Sequence, residues 1–242
     1  MASNLVIIPT YNEKGNIGRI IDAVQSLAMT FDILVVDDNS PDGTANIVRQ
    51  KQTEYPGRIH LLERKTKDGL GTAYIAGFRY ALAREYAYVF EMDADFSHSP
   101  SDLPRLREAC EREGGHLSVG SRYIKGGKVE NWPFLRIAMS YLASLYVRLI
   151  LWVPIADSTA GFVCYRREVL ETINLDQIEF VGYAFQIEMK YAAIRHGFKL
   201  VEVPITFVDR KVGQSKMSMN IFTEAFLGVL KMRFRSRKWQ RH

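Results

Sequence analysis

Short apolar runs alternate with amphipathic stretches along the first half of the chain. Residues 5–8 are apolar and are followed by Pro9, after which apolar positions recur at helical spacing through residues 17–27. The same order of apolar run, polar loop and helical pattern begins again at residues 31 and 59. Strands that alternate with helices in this way are typical of βαβ units. The pattern therefore predicts an α/β fold with a mostly parallel sheet flanked by helices.

The alternation weakens after Ser121. Residues 131–152 predict one long helix, and residues 220–234 predict a terminal amphipathic helix. No internal repeat, low-complexity tract or Pro/Gly/Ser-rich linker interrupts the sequence. We therefore expect residues 1–242 to form a single domain with an elaborated C-terminal half.

Three polar loops are expected at one edge of this sheet, because ligands in such folds bind beyond the carboxyl ends of the strands. They are residues 9–13, 37–40 and 93–97. The last of them carries Asp93 and Asp95, just beyond an apolar strand. A hard cation takes one or two carboxylates and fills its other positions with water and substrate phosphates. The pair therefore predicts a phosphate-handling metal site, with a solvent-exposed acidic loop as the alternative.

Two further side chains in these loops suit a nucleotide. The Asp38 carboxylate can accept hydrogen bonds from a nucleobase edge or a ribose hydroxyl, and Tyr11 can lie against the ring. Helix capping and packing explain each residue taken singly at least as well, because Asp and Asn are favoured where a strand turns into a helix. The glycine motifs of P-loop and dinucleotide-binding proteins are missing from the sequence. Together the loops favour a nucleoside diphosphate site of another kind.

Composition and charge narrow the possible partners. The chain has 242 residues, 47% of them apolar, as expected of a globular protein. Its net charge is +5, and residues 228–242 hold six Lys and Arg without any acid. Such a tail suits an anionic surface, either a membrane or a nucleic acid. A nucleic-acid-binding protein is therefore an alternative from another class.

Cysteine usage and hydropathy indicate the compartment. Cys110 and Cys164 are the only cysteines, which favours a reduced cytoplasmic setting and core or surface positions rather than half of a zinc site. The N-terminus lacks the pattern of a signal peptide. Residues 137–155 are apolar but are preceded by Arg136 and interrupted by Arg148. A helix between these arginines covers about 18 Å of a hydrocarbon layer about 30 Å thick, so we expect no membrane span.

Nine short segments, spread over nearly the whole chain, form a specific combination. They are PTYNE at residues 9–13, VVDDNSPDGT at 35–44, KDGLGTAY at 67–74, MDADFSHSP at 92–100, GSRY at 120–123, NWPFLRIAMS at 131–140, DSTAGFVCYRR at 157–167, GYAFQIEM at 182–189 and VDRKVGQSKM at 208–217. In these segments and their order the chain resembles the dolichol-phosphate (polyprenyl-phosphate) mannose synthases. These are inverting glycosyltransferases of the GT-A fold, which has a single Rossmann-like, mostly parallel sheet. They transfer mannose from GDP-mannose to a polyprenyl phosphate.

The resemblance implies a role for each group of matching residues. The nucleoside pocket would consist of Pro9, Tyr11, Glu13, Val36 and Asp38. The donor diphosphate and Mg²⁺ or Mn²⁺ would be bound by Asp93, Ala94 and Asp95, with the two aspartates as metal ligands. The acceptor phosphate would be held by Arg122, Arg136 and Ser140. A mobile loop that closes over the donor would carry Arg210 and Lys216. The residues expected to contact the donor and to act in catalysis are Asp95, Arg122, Arg210 and Lys216.

Some relatives carry Gln at the position of Ser97, whose shorter side chain leaves its status as a metal ligand open. The resemblance also divides the chain into a nucleotide-sugar half at residues 1–123, an acceptor half at 124–219, and an amphipathic helix with a basic tail at 220–242. It points to the short members without transmembrane hairpins, some of which depend on small membrane partner subunits. GDP-mannose and dolichyl or another polyprenyl phosphate are the implied substrates, and no nucleic-acid partner is implied.

The residues themselves support an acceptor phosphate near Arg136. Arg136 and Ser140 are four positions apart, so they share a helix face and can reach one phosphate. A guanidinium fork suits phosphate oxygens, although a surface arginine whose stem covers apolar neighbours is the alternative. A phosphate monoester has a second pKa of about 6 and is largely dianionic at neutral pH. It therefore needs no general base, and we expect Glu188 to be a structural hydrogen-bonding residue.

Apolar stripes in the two C-terminal helices, next to the basic tail, are typical of interfacial helices on anionic lipid. They predict a peripheral protein at the cytoplasmic face of the membrane, although core packing explains either stripe equally well. Two alternatives within this picture stay open. One is a synthase that uses UDP-glucose or another UDP-sugar, and the other is a catalytically silent subunit.

Overall fold

The computed structural model of the chain describes residues 4–112, 114–209 and 219–235. Strands and α-helices alternate through much of this part of the chain. The strands are β1 (Asn4–Thr10), β2 (Asp32–Asp37), β3 (Ile59–Glu63), β4 (Tyr88–Glu91), β5 (Leu117–Ser121), β6 (Lys128–Glu130), β7 (Val163–Arg166), β8 (Leu200–Pro204) and β9 (Thr206–Val208). The helices are α1 (Ile17–Gln25), α2 (Thr44–Glu54), α3 (Leu70–Leu82), α4 (Leu103–Arg112), α5 (Phe134–Leu151), α6 (Arg167–Thr172), α7 (Tyr183–Arg195) and α8 (Met219–Arg235).

Seven of the strands form one sheet in the order β3-β2-β1-β4-β7-β5-β8. All neighbours in it are parallel except β7, which is antiparallel to both β4 and β5. The predicted mostly parallel sheet is thus confirmed. Strands β6 and β9 pair with each other in a separate two-stranded parallel sheet. The hydrophobic pattern did not predict this small sheet, because each of its strands has only three residues.

Burial on both faces explains why the central strands are continuously apolar. Leu5 and Ile7 of β1 pack into one core cluster, whereas Val6 and Ile8 pack into another. Successive side chains of a strand point to opposite faces of the sheet, so β1 supplies both layers. Cys110 and Cys164, for which core or surface positions were expected, are free thiols in the second cluster of the core.

The position of β1 determines where the functional loops meet. The chain runs from β1 to β2 and β3 on one side, and then returns to place β4 on the other side of β1. A crevice forms beyond the carboxyl ends of the strands at such a switch point. The backbone N–H of Asp38 donates to the Thr10 carbonyl at 3.0 Å, and that of Met92 donates to the Ile7 carbonyl at 3.2 Å. The loops that follow β1, β2 and β4 therefore begin side by side, as expected.

Helix α5 exposes most of its apolar surface. Phe134 and Leu135 at its start are 84% and 70% exposed, and its buried side is limited to Ser144, Val147 and Leu151. Among the helices in the described part of the chain, α5 alone is long and apolar enough to cross a membrane. Core helices of soluble proteins can have the same length and composition. Most of the α5 surface is therefore open to a partner or a lipid.

Close packing explains one glycine of the KDGLG segment. A Cβ atom on Gly71 would lie 2.8 Å from a ring carbon of Phe185 and 2.9 Å from the carbonyl oxygen of Phe180. The Gly71 N–H also donates to the Val181 carbonyl at 2.8 Å. This glycine therefore lets α3 approach the segment before α7, which is a packing role rather than phosphate binding.

We expect Gly71→Ala to lower the free energy of unfolding by about 1–3 kcal/mol, because the added methyl group overpacks a backbone contact that cannot move away. Denaturant unfolding of the purified protein measures the change. Gly15→Ala is the matched control, since a Cβ there meets nothing within 4 Å; it should change stability by less than about 1 kcal/mol. Equal effects of the two substitutions would contradict the packing role.

Candidate active site

The loop after β4 is held in shape by its own side chains. Oδ1 of Asp95 accepts hydrogen bonds from the backbone N–H of Ser97 at 3.0 Å and from its hydroxyl at 2.5 Å. His98 is buried, stacks on Phe162 with ring centroids 4.8 Å apart, and accepts the backbone N–H of Asp93 at its Nδ1 atom at 3.3 Å. Burial lowers the pKa of His98 to about 4, so the imidazole is neutral and can act as this acceptor. Ser97 and His98 therefore position the two aspartates.

Asp93 and Asp95 fit a divalent cation by the chemistry of their donors. Both offer hard carboxylate oxygens, and the Asp93 side chain is 38% exposed. No group of three or more His, Cys, Asp or Glu side chains that could hold a metal occurs among the described residues. A cation held by this pair would therefore need water and ligand phosphates to complete its coordination, as Mg²⁺ commonly does. Ser97 bonds to Asp95, which indicates a supporting role for it rather than a ligand role.

Asp38 lies in an ion pair that the sequence did not reveal. Nε of Arg64 donates to Oδ1 of Asp38 at 2.6 Å, and Nη1 of Arg64 donates to the Thr72 hydroxyl at 2.7 Å. The Nη2 atom of Arg64 is buried and has no hydrogen-bond partner among the described residues. Asp38 and Arg64 thus form a largely buried ion pair where the nucleoside pocket is predicted. The sequence signal for this pair was positional. Arg64 directly follows β3 and Asp38 directly follows β2, and these two strands are neighbours in the sheet.

Tyr11 and Glu13 lie in the loop after β1, which is bonded to the segment after β2. Nζ of Lys67 lies 3.9 Å from the centroid of the Tyr11 ring, in a cation–π contact. Oε2 of Glu13 accepts the side-chain amide of Asn16 at 3.0 Å, and the Glu13 backbone N–H donates to the Thr44 hydroxyl at 3.0 Å. Lys67 adds a positive charge near the place where a nucleotide is expected, and the sequence analysis did not assign it a role.

Burial limits the part that Val36 and Ala94 can take. Both side chains are buried in the core clusters on either side of the sheet. Contacts of these two residues with a nucleotide would therefore be made by their backbone groups, and their assignment to the donor site stays a prediction. Pro9 pairs in register with Val36 and is partly exposed at the end of β1.

Arg122 is engaged in a buried ion pair. Its Nε and Nη2 atoms donate to the two carboxylate oxygens of Asp157 at 2.7 and 2.6 Å, and Nη2 also donates to the Thr159 hydroxyl at 2.9 Å. The side chains of Arg122 and Asp157 are 8% and 0% exposed. A buried guanidinium requires such a partner, because an uncompensated charge in the interior is very costly. Arg122 would therefore have to share its guanidinium with Asp157 to contact an acceptor phosphate, and that role stays a prediction.

Arg136, by contrast, lies near the surface. Its guanidinium carbon is 3.9 Å from the centroid of the Trp132 ring, and Nη1 is 3.1 and 3.2 Å from the two carboxylate oxygens of Asp209. Ser140 lies four residues further along α5 and is partly exposed. The structure thus brings Arg136 and Ser140 together on one helix, and it adds Asp209 to them. Arg210 and Lys216 lie outside the described residues.

A buried polar network lies behind the acidic loop. Nζ of Lys190 donates to the carbonyl groups of Ala160 at 2.6 Å and Gln186 at 3.0 Å, and Nε2 of Gln186 donates to Oε2 of Glu91 at 2.7 Å. Burial raises the pKa of Glu91 and lowers that of Lys190. The network connects the end of β4 to the loop that carries Asp157. Gln186 and Lys190 are four positions apart in α7, so they share a helix face. This spacing is the feature of the sequence that could have predicted the network.

Glu188 on the same helix is fully buried and bonds to backbone. Its Oε2 atom accepts the N–H groups of Glu179 and Phe180, both at 2.9 Å. The prediction of a structural role for Glu188 is thus confirmed.

Loss of the Arg122 counter-ion should be among the most damaging single changes near this site. We expect Asp157→Ala to lower the free energy of unfolding by about 3–5 kcal/mol, because it leaves a guanidinium buried without its partner. Denaturant unfolding provides the measurement. Glu130→Gln is the control, since it breaks an exposed pair with Lys128 and should cost less than about 1 kcal/mol. A loss below about 1 kcal/mol for Asp157→Ala would show that the pair is dispensable.

Solved structures with the same architecture establish the fold. The chain aligns with glucosyl-3-phosphoglycerate synthase of Mycobacterium tuberculosis, in complex with Mn²⁺, UDP and glucosyl-3-phosphoglycerate, with a TM-score of 0.68 at 16% identity over 100% of this chain and 81% of the other. A complex of that enzyme with Mn²⁺ and UDP-glucose gives a TM-score of 0.66 at 17% identity over 97% and 79%. The predicted GT-A fold is thereby confirmed.

Curated relatives are similar over nearly the whole chain. Polyprenol monophosphomannose synthase of Mycolicibacterium smegmatis is 48% identical over 96% of this chain and 88% of its own length. Undecaprenyl-phosphate mannosyltransferase of Micrococcus luteus is 49% identical over 93% and 91%. Dolichol-phosphate mannosyltransferase of Pyrococcus furiosus is 38% identical over 97% of this chain and 64% of its own length. The resemblance stated from the nine segments is thus confirmed.

The family model named glycosyl transferase family 2 matches residues 5–173, which is more than half of the chain and includes β1 through β7. The match covers the acidic loop after β4, the Arg122–Asp157 pair and helix α5. The chain belongs to glycosyl transferase family 2 and is a glycosyltransferase.

Proposed function

We propose that the protein transfers mannose from GDP-mannose to a polyprenyl phosphate of the dolichyl type, with inversion at the anomeric carbon. Transfer of mannose to a polyprenyl phosphate is supported by the names of the curated relatives. The GDP-linked donor and the inversion rest on the resemblance of the nine segments.

One structural observation carries the proposal. The acidic loop and Arg136 are joined by strand β9, since the Val208 N–H donates to the Ser97 carbonyl at 3.3 Å and the next residue, Asp209, contacts Arg136. The loop expected to hold a donor diphosphate and the cation expected to hold an acceptor phosphate thus both contact the end of one short strand. The exposed apolar start of α5 adjoins Arg136, where a lipid chain would continue from its phosphate.

The residues suggest how each substrate would be oriented. Asp38 and Arg64 would bind the nucleobase or ribose, Tyr11 would pack against the ring, and Asp93 and Asp95 would hold Mg²⁺ or Mn²⁺ on the diphosphate. When bound, this cation would neutralise negative charge on the departing diphosphate. Arg210 and Lys216 would close over the donor and add positive charge near the same diphosphate.

The acceptor side needs orientation more than activation. A phosphate monoester is already largely dianionic near neutral pH, so no side chain has to remove a proton from the attacking oxygen. Arg136 and Ser140 would instead hold the phosphate and direct that oxygen at the sugar. Arg122 would contribute to this positive region while it remains bonded to Asp157. The fixed position of Glu188 on backbone N–H groups agrees with the lack of a general base.

The same proposal assigns a role to each part of a single glycosyltransferase domain at residues 1–242. Residues 1–123 would bind the nucleotide sugar, residues 124–219 would bind the acceptor, and residues 220–242 would contribute an interfacial helix and a basic tail. The protein would act at the cytoplasmic face of the membrane, either alone or with small membrane partner subunits.

A second candidate donor is a UDP-sugar such as UDP-glucose. The Asp38–Arg64 pair offers one acceptor and one donor, a combination that both guanine and uracil can satisfy. The pocket geometry therefore does not discriminate between the two nucleobases, and a direct assay is needed.

The proposed reaction predicts transfer of labelled mannose from GDP-mannose to undecaprenyl phosphate in detergent, with loss of activity when EDTA removes the divalent cation. UDP-glucose should give a lower rate, because the nine segments resemble those of synthases that use GDP-mannose. Thin-layer separation of the lipid product measures both rates. Transfer from UDP-glucose without transfer from GDP-mannose would overturn the mannose assignment, and absence of transfer from every donor would favour a silent subunit.

An aspartate variant tests the cation site within this assay. We expect Asp95→Asn to lower kcat/KM by about 100-fold or more. The substitution removes one of the two carboxylates expected to bind the cation, and the neighbouring Ser97 hydroxyl cannot replace it. Asp176→Asn is the control, since Asp176 lies in an exposed pair with Arg79. Full activity of the Asp95 variant would remove the metal site from the mechanism.

Membrane contact through α5 predicts binding to vesicles. The double variant Phe134→Glu/Leu135→Glu should reduce flotation with phosphatidylglycerol vesicles several-fold, because it replaces exposed apolar surface with charge. Gln50→Glu/Thr53→Glu adds the same charge to the exposed surface of α2 and should retain most of the binding. If both double variants lose binding equally, net charge alone accounts for membrane contact.

A further inference from the structure

The two arginines expected near the acceptor phosphate differ in how firmly their carboxylate partners hold them. Arg122 and Asp157 are buried and joined by two short hydrogen bonds. Arg136 and Asp209 are 25% and 27% exposed and are held by longer contacts of 3.1 and 3.2 Å, both from Nη1. Exposed ion pairs contribute little to stability, and removing a partner from a buried pair is costly. Of these two carboxylates, Asp209 is therefore the one that a competing anion can displace.

Asp209 also leaves part of the Arg136 guanidinium unsatisfied. The Nε atom of Arg136 is buried and has no hydrogen-bond partner among the described residues. The Trp132 ring holds the guanidinium in place on one side. A phosphate group offers three acceptor oxygens and carries a larger charge than a carboxylate. A phosphate that reaches the exposed part of this guanidinium therefore competes with Asp209 through its larger charge.

The backbone of Asp209 is fixed independently of its side chain. The Asp209 N–H donates to the Glu130 carbonyl at 3.1 Å, and the preceding residue, Val208, donates to the Ser97 carbonyl at 3.3 Å. The β6–β9 sheet thus holds the carboxylate close to Arg136 whether or not the two groups are bonded. Release of the arginine would therefore need movement of the Asp209 side chain and not of its backbone.

From these contacts we propose that Asp209 is the resident counter-ion of Arg136 and that the phosphate of the acceptor displaces it. Asp209 thereby sets the affinity of the site for a phosphate monoester, since it competes for the same cation. The proposal rests on the proposed function in one respect, namely that the displacing anion is a lipid phosphate. The displacement itself requires only a phosphate that reaches Arg136.

The test is titration of farnesyl phosphate into the full-length protein, followed by calorimetry without donor. Asp209→Asn should bind it about two- to fivefold more tightly than the unmodified protein, because a competing pair of up to about 1 kcal/mol is removed. Asp209→Glu retains the charge and should bind close to normally. In an Arg136→Ala background, Asp209→Asn should have no effect, since the competition no longer exists.

Glu130→Gln is the matched control, because Glu130 is a neighbouring acid on β6 that pairs with Lys128. It removes the same unit of charge without touching Arg136, and its affinity should not change. Unchanged or weaker binding by Asp209→Asn, with an unaltered melting temperature, would overturn the proposal and indicate that Asp209 orients the arginine. An equal gain in Glu130→Gln would also overturn it, because general electrostatics would then be the cause.

The transfer assay separates this inference from the proposed function. If the protein transfers mannose but Asp209→Asn does not change farnesyl phosphate binding, only the counter-ion role is wrong. If that variant binds farnesyl phosphate more tightly but no donor supports mannose transfer, the proposed reaction is wrong and the counter-ion role is retained. A protein that binds no farnesyl phosphate in any variant would contradict both.

Discussion

The parallel pairing of β1 with both β2 and β4 is the constraint on which the rest of the site depends. Because the three strands run in the same direction, their carboxyl ends lie at one edge and their polar loops meet there. The strands are buried on both faces, so their register is set by two core clusters rather than one. Displacement of β4 by one residue would turn its apolar side chains away from their clusters and move Asp93 with them.

Charged groups behind this edge are arranged in pairs that differ in burial. Arg122 with Asp157, and Lys190 near Glu91, are enclosed, and they connect β4, β5, α7 and the loop before β7. Asp38 with Arg64 lies closer to the pocket and retains one unbonded donor among the described residues. Arg136 with Asp209 is the most exposed of these pairs. The enclosed pairs thus connect elements of the scaffold, and the Arg136–Asp209 pair is the one most open to solvent.

The exposed apolar face of α5 lies next to the Arg136–Asp209 pair. Phe134 and Leu135 are exposed beside Arg136, while the side of α5 with Val147 and Leu151 packs on the protein. The hydroxyl of Tyr146 donates to the Phe226 carbonyl at 3.0 Å, and the two rings stack, so α5 and α8 form one surface. An amphipathic acceptor could lie along this surface with its phosphate at Arg136.

The sequence by itself determined the α/β class, the alternation of elements, the loops at the switch point and the family. These features depend on local patterns and on short segments, such as MDADFSHSP, that can be recognised without knowledge of distant contacts. Asp93, Asp95, Arg136 and Ser140 were proposed as site residues in this way. Only the tertiary structure decided which charges are paired, since Arg122 and Asp157 are 35 residues apart and Arg136 and Asp209 are 73 apart. It likewise placed Val36 and Ala94 in the core and formed the β6–β9 sheet. Such long-range contacts arise from packing of the whole chain, and hydrophobic periodicity carries no information about them.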